Sequence, residues 1–379
     1  MTKATSKLVR GRLTFVNALR NFLQEQNYVE VQTPLLHRRL AGFEKGVGFS
    51  TYSASLGERL WLRAAPELYL KRLIIEWGPK EASKLFEFAL CLRDDFDEAS
   101  PSDSFDRPEF TLLELYTVDE DYERLELLLR DAIVVGVNAL RSVGVLPNDG
   151  SPFGTGDWSR IGFAESLKKL DEGFDLDELL ASAGSGVVAK GADGHAEAIE
   201  VRAADADLVA ASERVLRQVA DLTPYLRMGP QGYWFDFVER AFRQGIVPSF
   251  TEPTVVHSLP LESSPMAQSS DGVHCDKWEL YMGGLRVALA QRELMDANVQ
   301  AVRFRHIDHL RRQGYDVLPE PDKEFVEVLR KWPVGAPLVG MGIYVDRLIG
   351  LILGLVSPDG HGQEQMIPNV FKRYTETST

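Results

Sequence analysis

The segment FDRPEFTLLELY, residues 105 to 116, places a carboxylate where a side chain is expected to be buried. Its aromatic and aliphatic residues predict a strand, and side chains alternate between the two faces of a strand. Phe110, Leu112, Glu114 and Tyr116 therefore share one face. Because a buried carboxylate is costly unless it is paired or hydrogen-bonded, three interpretations follow for Glu114. The buried face is misassigned, the carboxylate belongs to a structural ion pair, or it lines a pocket for a cationic ligand.

The surrounding sequence predicts the elements that would position this strand. Apolar residues at helical spacing predict an amphipathic helix over residues 11 to 27, followed by a short strand over 28 to 31. Pro66 favours the first turn of a second helix. Further strands are predicted at 60–62, 85–93, 110–116, 254–256, 278–282 and 338–345, and further helices at 122–142 and after 346. Strands mixed with long helices and close antiparallel returns predict an α+β fold, an antiparallel β-sheet flanked by helices.

Composition narrows the function classes. The chain has 379 residues, is 44% apolar and carries a formal net charge of −14, which argues against broad nonspecific binding of nucleic acid. No apolar run approaches the roughly 18 residues that cross a bilayer, so no membrane partner is expected. Cys91 and Cys275 are the only cysteines and lack metal-ligand spacing. These features favour a cytoplasmic protein.

Three segments together resemble the signature motifs of a class II aminoacyl-tRNA synthetase catalytic domain, and the lysyl branch most closely. The first is the helix and strand of residues 12 to 35, which end in YVEVQTPLL. The second joins FEFALCLRDDF to RPEFTLLELY, and the third is PLVGMGIYVDRLIGLILG. WLRAAPELYLKRL and LESSPMA resemble further lysyl-type blocks. The resemblance implies the antiparallel sheet of that family.

The resemblance also implies a domain organisation. Residues 1 to 379 would form a single catalytic domain, with a less regular insertion over 145 to 245 whose least regular part is 145 to 210. The first motif builds the dimer interface in the family, so a homodimer through residues 12 to 35 is expected. Because that motif starts near residue 10, the anticodon-binding barrel of lysyl enzymes is not expected in this chain. In this the chain resembles truncated paralogues such as the ligase that attaches lysine to elongation factor P.

By resemblance the site would bind ATP and Mg²⁺ and form an aminoacyl-adenylate. Arg93 falls on the arginine that holds the substrate carboxylate and the α-phosphate, a task that suits its planar fork. Phe110 corresponds to the aromatic that stacks on adenine, and Arg347 to the arginine that reaches the γ-phosphate. Asp95 replaces a glutamate near ATP. Glu279 matches a carboxylate that binds Mg²⁺.

The amino-acid pocket follows from the same resemblance. Glu67 would bind the α-amino group of the substrate. Glu114, Tyr116 and Glu293 fall where lysyl enzymes surround the distal ammonium of lysine. Carboxylates in an apolar slot are best satisfied by a cation. A diamino acid such as lysine, β-lysine or ornithine is therefore the expected substrate.

Three departures from the family lie at the metal, the side-chain pocket and the acceptor. Tyr344 replaces a pocket glycine and would shorten or reroute the slot. Arg286 replaces a second metal-binding carboxylate, and Leu289 a pocket asparagine. Arg286 either stands in for the charge of the metal at the phosphates, or pairs with Glu114 or Glu293 and changes the activity. The loop after Arg93 is longer and more acidic than in lysyl enzymes. Phe105 and Asp106 stand where lysyl enzymes have basic or imidazole side chains that contact ATP and the acceptor. Arg107 would replace the lost positive charge at the ATP.

Three functions remain open from the sequence. The first is an ATP-dependent ligase that transfers an activated amino acid to a non-tRNA acceptor such as a protein, a carrier-protein thiol or a small amine. The second is the elongation factor P lysine ligase itself. The third is a noncatalytic paralogue that binds an amino acid, nucleotide or partner as a regulator, for which Arg286 is the strongest support.

Overall fold

An eight-stranded sheet is the central element of the chain. The computed structural model describes residues 3–39, 48–93, 108–148, 158–183, 206–219, 234–312, 320–333 and 335–354. The strands are β1 Val29–Glu30, β2 Leu36–His37, β3 Ser50–Ser53, β4 Glu58–Leu62, β5 Lys84–Leu92, β6 Glu109–Val118, β7 Ser159–Gly162, β8 Thr254–His257, β9 Lys277–Met282, β10 Leu285–Arg292 and β11 Leu338–Tyr344. The helices are α1 Lys3–Glu25, α2 Glu67–Trp77, α3 Arg124–Ser142, α4 Phe163–Leu167, α5 Leu176–Ser182, α6 Ala206–Leu216, α7 Trp234–Ala241, α8 Ala297–Arg312, α9 Lys323–Leu329 and α10 Val345–Ile352.

The strand order of the large sheet is β1-β5-β6-β11-β10-β9-β8-β7, and a small sheet has the order β2-β4-β3. From β5 to β8 every neighbouring pair in the large sheet is antiparallel. Only the edge strands β1 and β7 pair in parallel. The predicted α+β class, with an antiparallel sheet flanked by helices, is confirmed.

Strand alternation gives the large sheet two different faces. One face carries apolar residues such as Phe86 and Leu115 and packs in a single core with residues of α1, α3 and α10. On the opposite face Glu114 of β6 pairs in register with Glu87 of β5 and with Gly342 of β11. The sheet therefore separates the main core from a face that carries charged side chains.

Helices cover one end of this charged face. Leu68 and Ile74 of α2, Phe304 of α8 and Phe325 of α9 pack in one cluster with Tyr116. The other end, near Phe110 and Tyr344, carries a small cluster of its own. The face is thus closed at one end by α2, α8 and α9.

The described parts of the predicted insertion have regular structure. They contain β7 and the helices α4 to α7. Phe163, Phe174, Trp234 and Phe242 of this segment belong to an apolar cluster separate from the main core. Residues 149–157, 184–205 and 220–233 of this segment lie outside the described residues. Among the described helices of the whole chain, none combines the length and apolar character that spanning a membrane requires.

Candidate active site

The predicted face of β6 is present in the structure. Tyr116 pairs in register with Gly340, Glu114 with Gly342 and Leu112 with Tyr344. The two glycines leave room for larger neighbours, since a Cβ built at Gly340 would lie 2.4 Å from Tyr116 Cε1 and 2.6 Å from Glu293 Oε1. β6 and β11 therefore bring Glu114, Tyr116 and Glu293 together.

Three carboxylates and one ammonium form the acidic end of this face. Lys71 of α2 forms ion pairs with Glu67, at 2.6 Å from Nζ to Oε1, and with Glu293. The Lys71 side chain is only 1% exposed. The Tyr116 hydroxyl donates to Glu114 Oε1 at 2.8 Å, and the Gln291 amide donates to Glu293 Oε2 at 3.1 Å. The Lys71 ammonium thus forms ion pairs with two of the three carboxyl groups, and Tyr116 donates to the third.

Burial and the neighbouring negative charges shift the pKa values of this group. Burial, together with repulsion from Glu67 and Glu293, raises the pKa of Glu114 to about 8. Burial also raises the pKa of Glu293, although Lys71 opposes the shift. For Lys71 itself the attraction of Glu293 and Glu67 outweighs burial and raises the pKa, so the ammonium stays charged. A bound cation would remove the cost of ionising Glu114.

Two arginines and two aromatic rings form the other end of the face. The Arg93 guanidinium carbon lies 5.1 Å from the centre of the Phe110 ring, and Arg93 Nε donates to the Ala64 carbonyl at 2.9 Å. The rings of Phe110 and Tyr344 are 5.9 Å apart and tilted by 33°. The Arg347 guanidinium carbon lies 4.5 Å from the centre of the Tyr344 ring. The Tyr344 ring therefore lies between Phe110, which Arg93 contacts, and Arg347.

The start of α10 is fixed from two sides. Asp346 accepts a hydrogen bond from the Thr111 backbone N–H at 2.7 Å and forms an ion pair with Arg12 at 3.0 Å. These contacts tie the beginning of α10 to β6 and to α1. Arg347 lies in the first turn of α10, where the helix dipole favours anions.

Glu279 of β9 lies within a cluster of hydrogen-bond donors. Its Oε1 receives Lys277 Nζ at 2.8 Å and Arg286 Nη1 at 2.9 Å, and its Oε2 receives the Tyr281 hydroxyl at 2.6 Å. Burial would raise the pKa of Glu279, but Lys277 and Arg286 outweigh it and lower the pKa to about 2. The second Nη of Arg286 donates to the Tyr344 hydroxyl at 3.0 Å.

These surroundings do not fit a divalent metal at Glu279. Mg²⁺ prefers oxygen ligands with available lone pairs, and both Glu279 oxygens already accept hydrogen bonds from two cations and a phenol. In the part of the chain that the structure describes, no group of three or more His, Cys, Asp or Glu residues could hold a metal ion. The prediction that Glu279 binds Mg²⁺ is therefore not supported by the groups around it.

Sequence reasoning missed several residues of this face. Lys71 follows Glu67 by four residues on α2, a spacing that predicts a contact, and Lys277 and Tyr281 share the strand face of Glu279 by alternation. Arg63 and Glu87 form a buried ion pair supported by Thr33. The predicted site residues Asp95 and Arg107, and the departures Phe105 and Asp106, lie outside the described residues.

Comparison with known proteins identifies the family. Residues 1–357 match the family model for tRNA synthetases class II (D, K and N). The chain belongs to this family. Its relatives include a lysine–tRNA ligase of Kineococcus radiotolerans, 30% identical over 355 residues, which covers 92% of this chain and 61% of the relative. Those of Aliivibrio salmonicida and Saccharolobus solfataricus are each 27% identical, over 92% and 91% of this chain and 62% of each relative.

The predicted resemblance to class II synthetases and to their lysyl branch is thus confirmed. The chain spans about three fifths of the length of these curated relatives. Within this class II domain, the acidic end and the arginine end of the site lie on one face of the shared antiparallel sheet.

Proposed function

We propose that the protein is an ATP-dependent ligase that activates a diamino acid as its adenylate and transfers it to an acceptor other than tRNA. The observation that carries the proposal is the division of one sheet face into two ends of opposite charge. The acidic end contains Glu67, Glu114 and Glu293 with a single lysine. The other end contains arginines stacked on aromatic rings.

The acidic end supports a diamino acid as the substrate. A substrate α-ammonium at Glu67 and a distal ammonium at Glu114 and Glu293 would together balance the charge that Lys71 leaves uncompensated. The Tyr116 hydroxyl already bonds to Glu114 and fixes that carboxylate. An amino acid with an apolar side chain would leave Glu114 protonated, because burial raises the pKa of this carboxyl, and its charge would then contribute nothing to binding.

The arginine end supports binding of a polyphosphate. Arg93, Lys277, Arg286 and Arg347 carry four positive charges on this part of the sheet, and Glu279 contributes one negative charge. In the proposed reaction the amino-acid carboxylate attacks the α-phosphate, and pyrophosphate leaves. Arg93 would orient the two reacting groups and Arg347 would bind the leaving phosphates. Such a site accelerates the reaction by positioning and by stabilising the developing charge.

The net charge of the chain favours an acceptor other than a nucleic acid held by nonspecific contacts. A formal net charge of −14 argues against broad nonspecific binding of nucleic acid, because such binding depends strongly on neutralising phosphates. A protein amine, a carrier-protein thiol or a small amine has no such requirement.

The experiment that tests activation is ATP–pyrophosphate exchange with a panel of proteinogenic amino acids, ornithine and β-lysine. We expect exchange with one diamino acid and at least about a hundredfold less with Arg93→Ala, because this arginine is assigned to the reacting groups. Arg124→Ala, in which an exposed arginine is removed, serves as the matched control and should exchange like the wild type. Exchange that depends on a neutral amino acid would overturn the assignment of the acidic end.

A second candidate function is a noncatalytic binding protein. It is favoured by the Tyr344 ring, which contacts both Phe110 and Arg347, the two residues assigned to the nucleotide. The two candidates differ in one result. A protein that binds ATP but exchanges pyrophosphate with none of the amino acids tested would favour the noncatalytic function.

A further inference from the structure

Arg286 is placed on the charged face by an irregularity in its strand. The ladder between β9 and β10 shifts register between Arg286 and Ala288, so that Val287 is an additional residue. Val287 and Ala288 both belong to the main core on the opposite face. Without the shift Arg286 would share a face with Ala288. The bulge therefore re-aims the Arg286 side chain toward Glu279, a recognised effect of such irregularities.

Contacts on several sides hold Arg286 in this position. One terminal nitrogen donates to Glu279 and the other to the Tyr344 hydroxyl, at 2.9 and 3.0 Å. The Arg286 backbone carbonyl accepts a hydrogen bond from Arg347 Nη1 at 2.9 Å. The same residue thus links the Glu279 cluster to the arginine that is assigned to the phosphates.

From this geometry we infer that Arg286 supplies the positive charge that a divalent metal would otherwise supply at Glu279, so that ATP binds here without a divalent cation. The inference rests on the proposed ATP site. A guanidinium carries a permanent charge and several donors in a fixed plane, which suits phosphate oxygens. A metal ion at Glu279 would have to displace Lys277 or Arg286 and would be repelled by the cation that remained.

Isothermal titration of ATP tests this inference, with the full chain first in EDTA and then in excess MgCl₂. We expect the dissociation constant of the wild type to differ by less than about threefold between the two conditions. Arg286→Glu should weaken binding in EDTA by about tenfold or more, because a charge-assisted contact is replaced by repulsion. Mg²⁺ should restore part of that loss, because two carboxylates would then face each other at this position.

Two further variants keep the test interpretable. Arg286→Gln removes only the charge and preserves a hydrogen-bond donor for Tyr344. It should weaken binding in EDTA even if Arg286→Glu fails to fold. Arg330→Glu reverses the charge of an exposed arginine that follows the last residue of α9, and this variant should bind ATP like the wild type. Thermal stabilisation by Mg²⁺ alone should appear in Arg286→Glu and not in the wild type.

The outcomes separate this inference from the proposed function. Binding by the wild type that requires Mg²⁺ would overturn the inference and leave the ATP site intact. Equal ATP affinity of the wild type and Arg286→Gln in EDTA would also overturn it. If the wild type bound no ATP under either condition, the proposed function would fail and the inference would fail with it.

Discussion

At the residue scale, Glu114 answers the question raised by its strand. It is buried beside Tyr116, which donates to it, and its pKa is raised to about 8. The lysine of the pocket forms its ion pairs with Glu67 and Glu293. In the absence of a substrate cation Glu114 therefore ionises only at a cost, because burial and the neighbouring carboxylates raise its pKa. This favours the ligand pocket over a structural ion pair.

The raised pKa of Glu114 predicts a pH dependence of stability. The folded protein holds the Glu114 proton up to about pH 8, whereas the unfolded chain releases it near its ordinary pKa of about 4.3. Between these values the folded state binds more protons, so the Glu114 contribution to the free energy of unfolding falls as pH rises. We expect Glu114→Gln to gain stability relative to the wild type from pH 5 to pH 8, with a plateau above. Urea unfolding at each pH measures this difference.

The same strand offers a matched control for this experiment. Glu109 begins β6 and is exposed, so Glu109→Gln should follow the wild-type pH profile. Glu67, Glu293, Lys71 and Tyr116 face Glu114 and remain unchanged in both variants. Parallel profiles for Glu114→Gln and the wild type would contradict the raised pKa.

At the scale of elements, the alternation of apolar residues in strands and their helical spacing were sufficient to predict most of the strands and helices around the site. The predicted strands β5, β6, β9 and β11 and the helices α2, α3 and α10 are confirmed, with small differences at their ends. The strand β10 was not predicted, because the bulge at Val287 interrupts its period of two and brings apolar neighbours onto one face. The partners of Arg286 could not be predicted either. Its contact with Tyr344 depends on the packing of strands far apart in sequence.

Two glycines of strand β11 leave space for the pocket side chains of β6. Gly340 and Gly342 lie on the charged face, opposite Tyr116 and Glu114. We expect Gly340→Ala to lower the free energy of unfolding by roughly 1–3 kcal/mol, a usual result of overpacking. A Cβ there would lie 2.4 Å from a carbon of the buried Tyr116 ring. Gly342→Ala should cost less, because its nearest contact is the terminal oxygen of Glu114 at 2.9 Å. Chemical denaturation of both variants tests the order, and equal losses would contradict it.

At the scale of the whole molecule, the large sheet keeps two functions apart. Its apolar face, with α1, α3 and α10, provides the main core, while the charged face carries the candidate site. The two faces meet where Arg12 of α1 reaches Asp346 at the start of α10. This contact links α1 to the first turn of α10, which carries Arg347.

Exposed apolar residues in and next to the first motif, residues 12 to 35, predict how the protein assembles. Leu13, Val29 and Leu36 are 55%, 53% and 47% exposed, and Val29 lies on β1, an edge strand of the large sheet. Exposed apolar side chains on a helix and on edge strands are typical of an interface. We expect a homodimer through residues 12 to 35, with a light-scattering mass about twice the 42.4 kDa of one chain. Leu13→Glu combined with Val29→Glu should give a monomer, because two charges would be buried at the interface. Leu127→Glu, at a leucine of α3 that is 60% exposed, should remain dimeric. A monomeric wild type would refute this assembly.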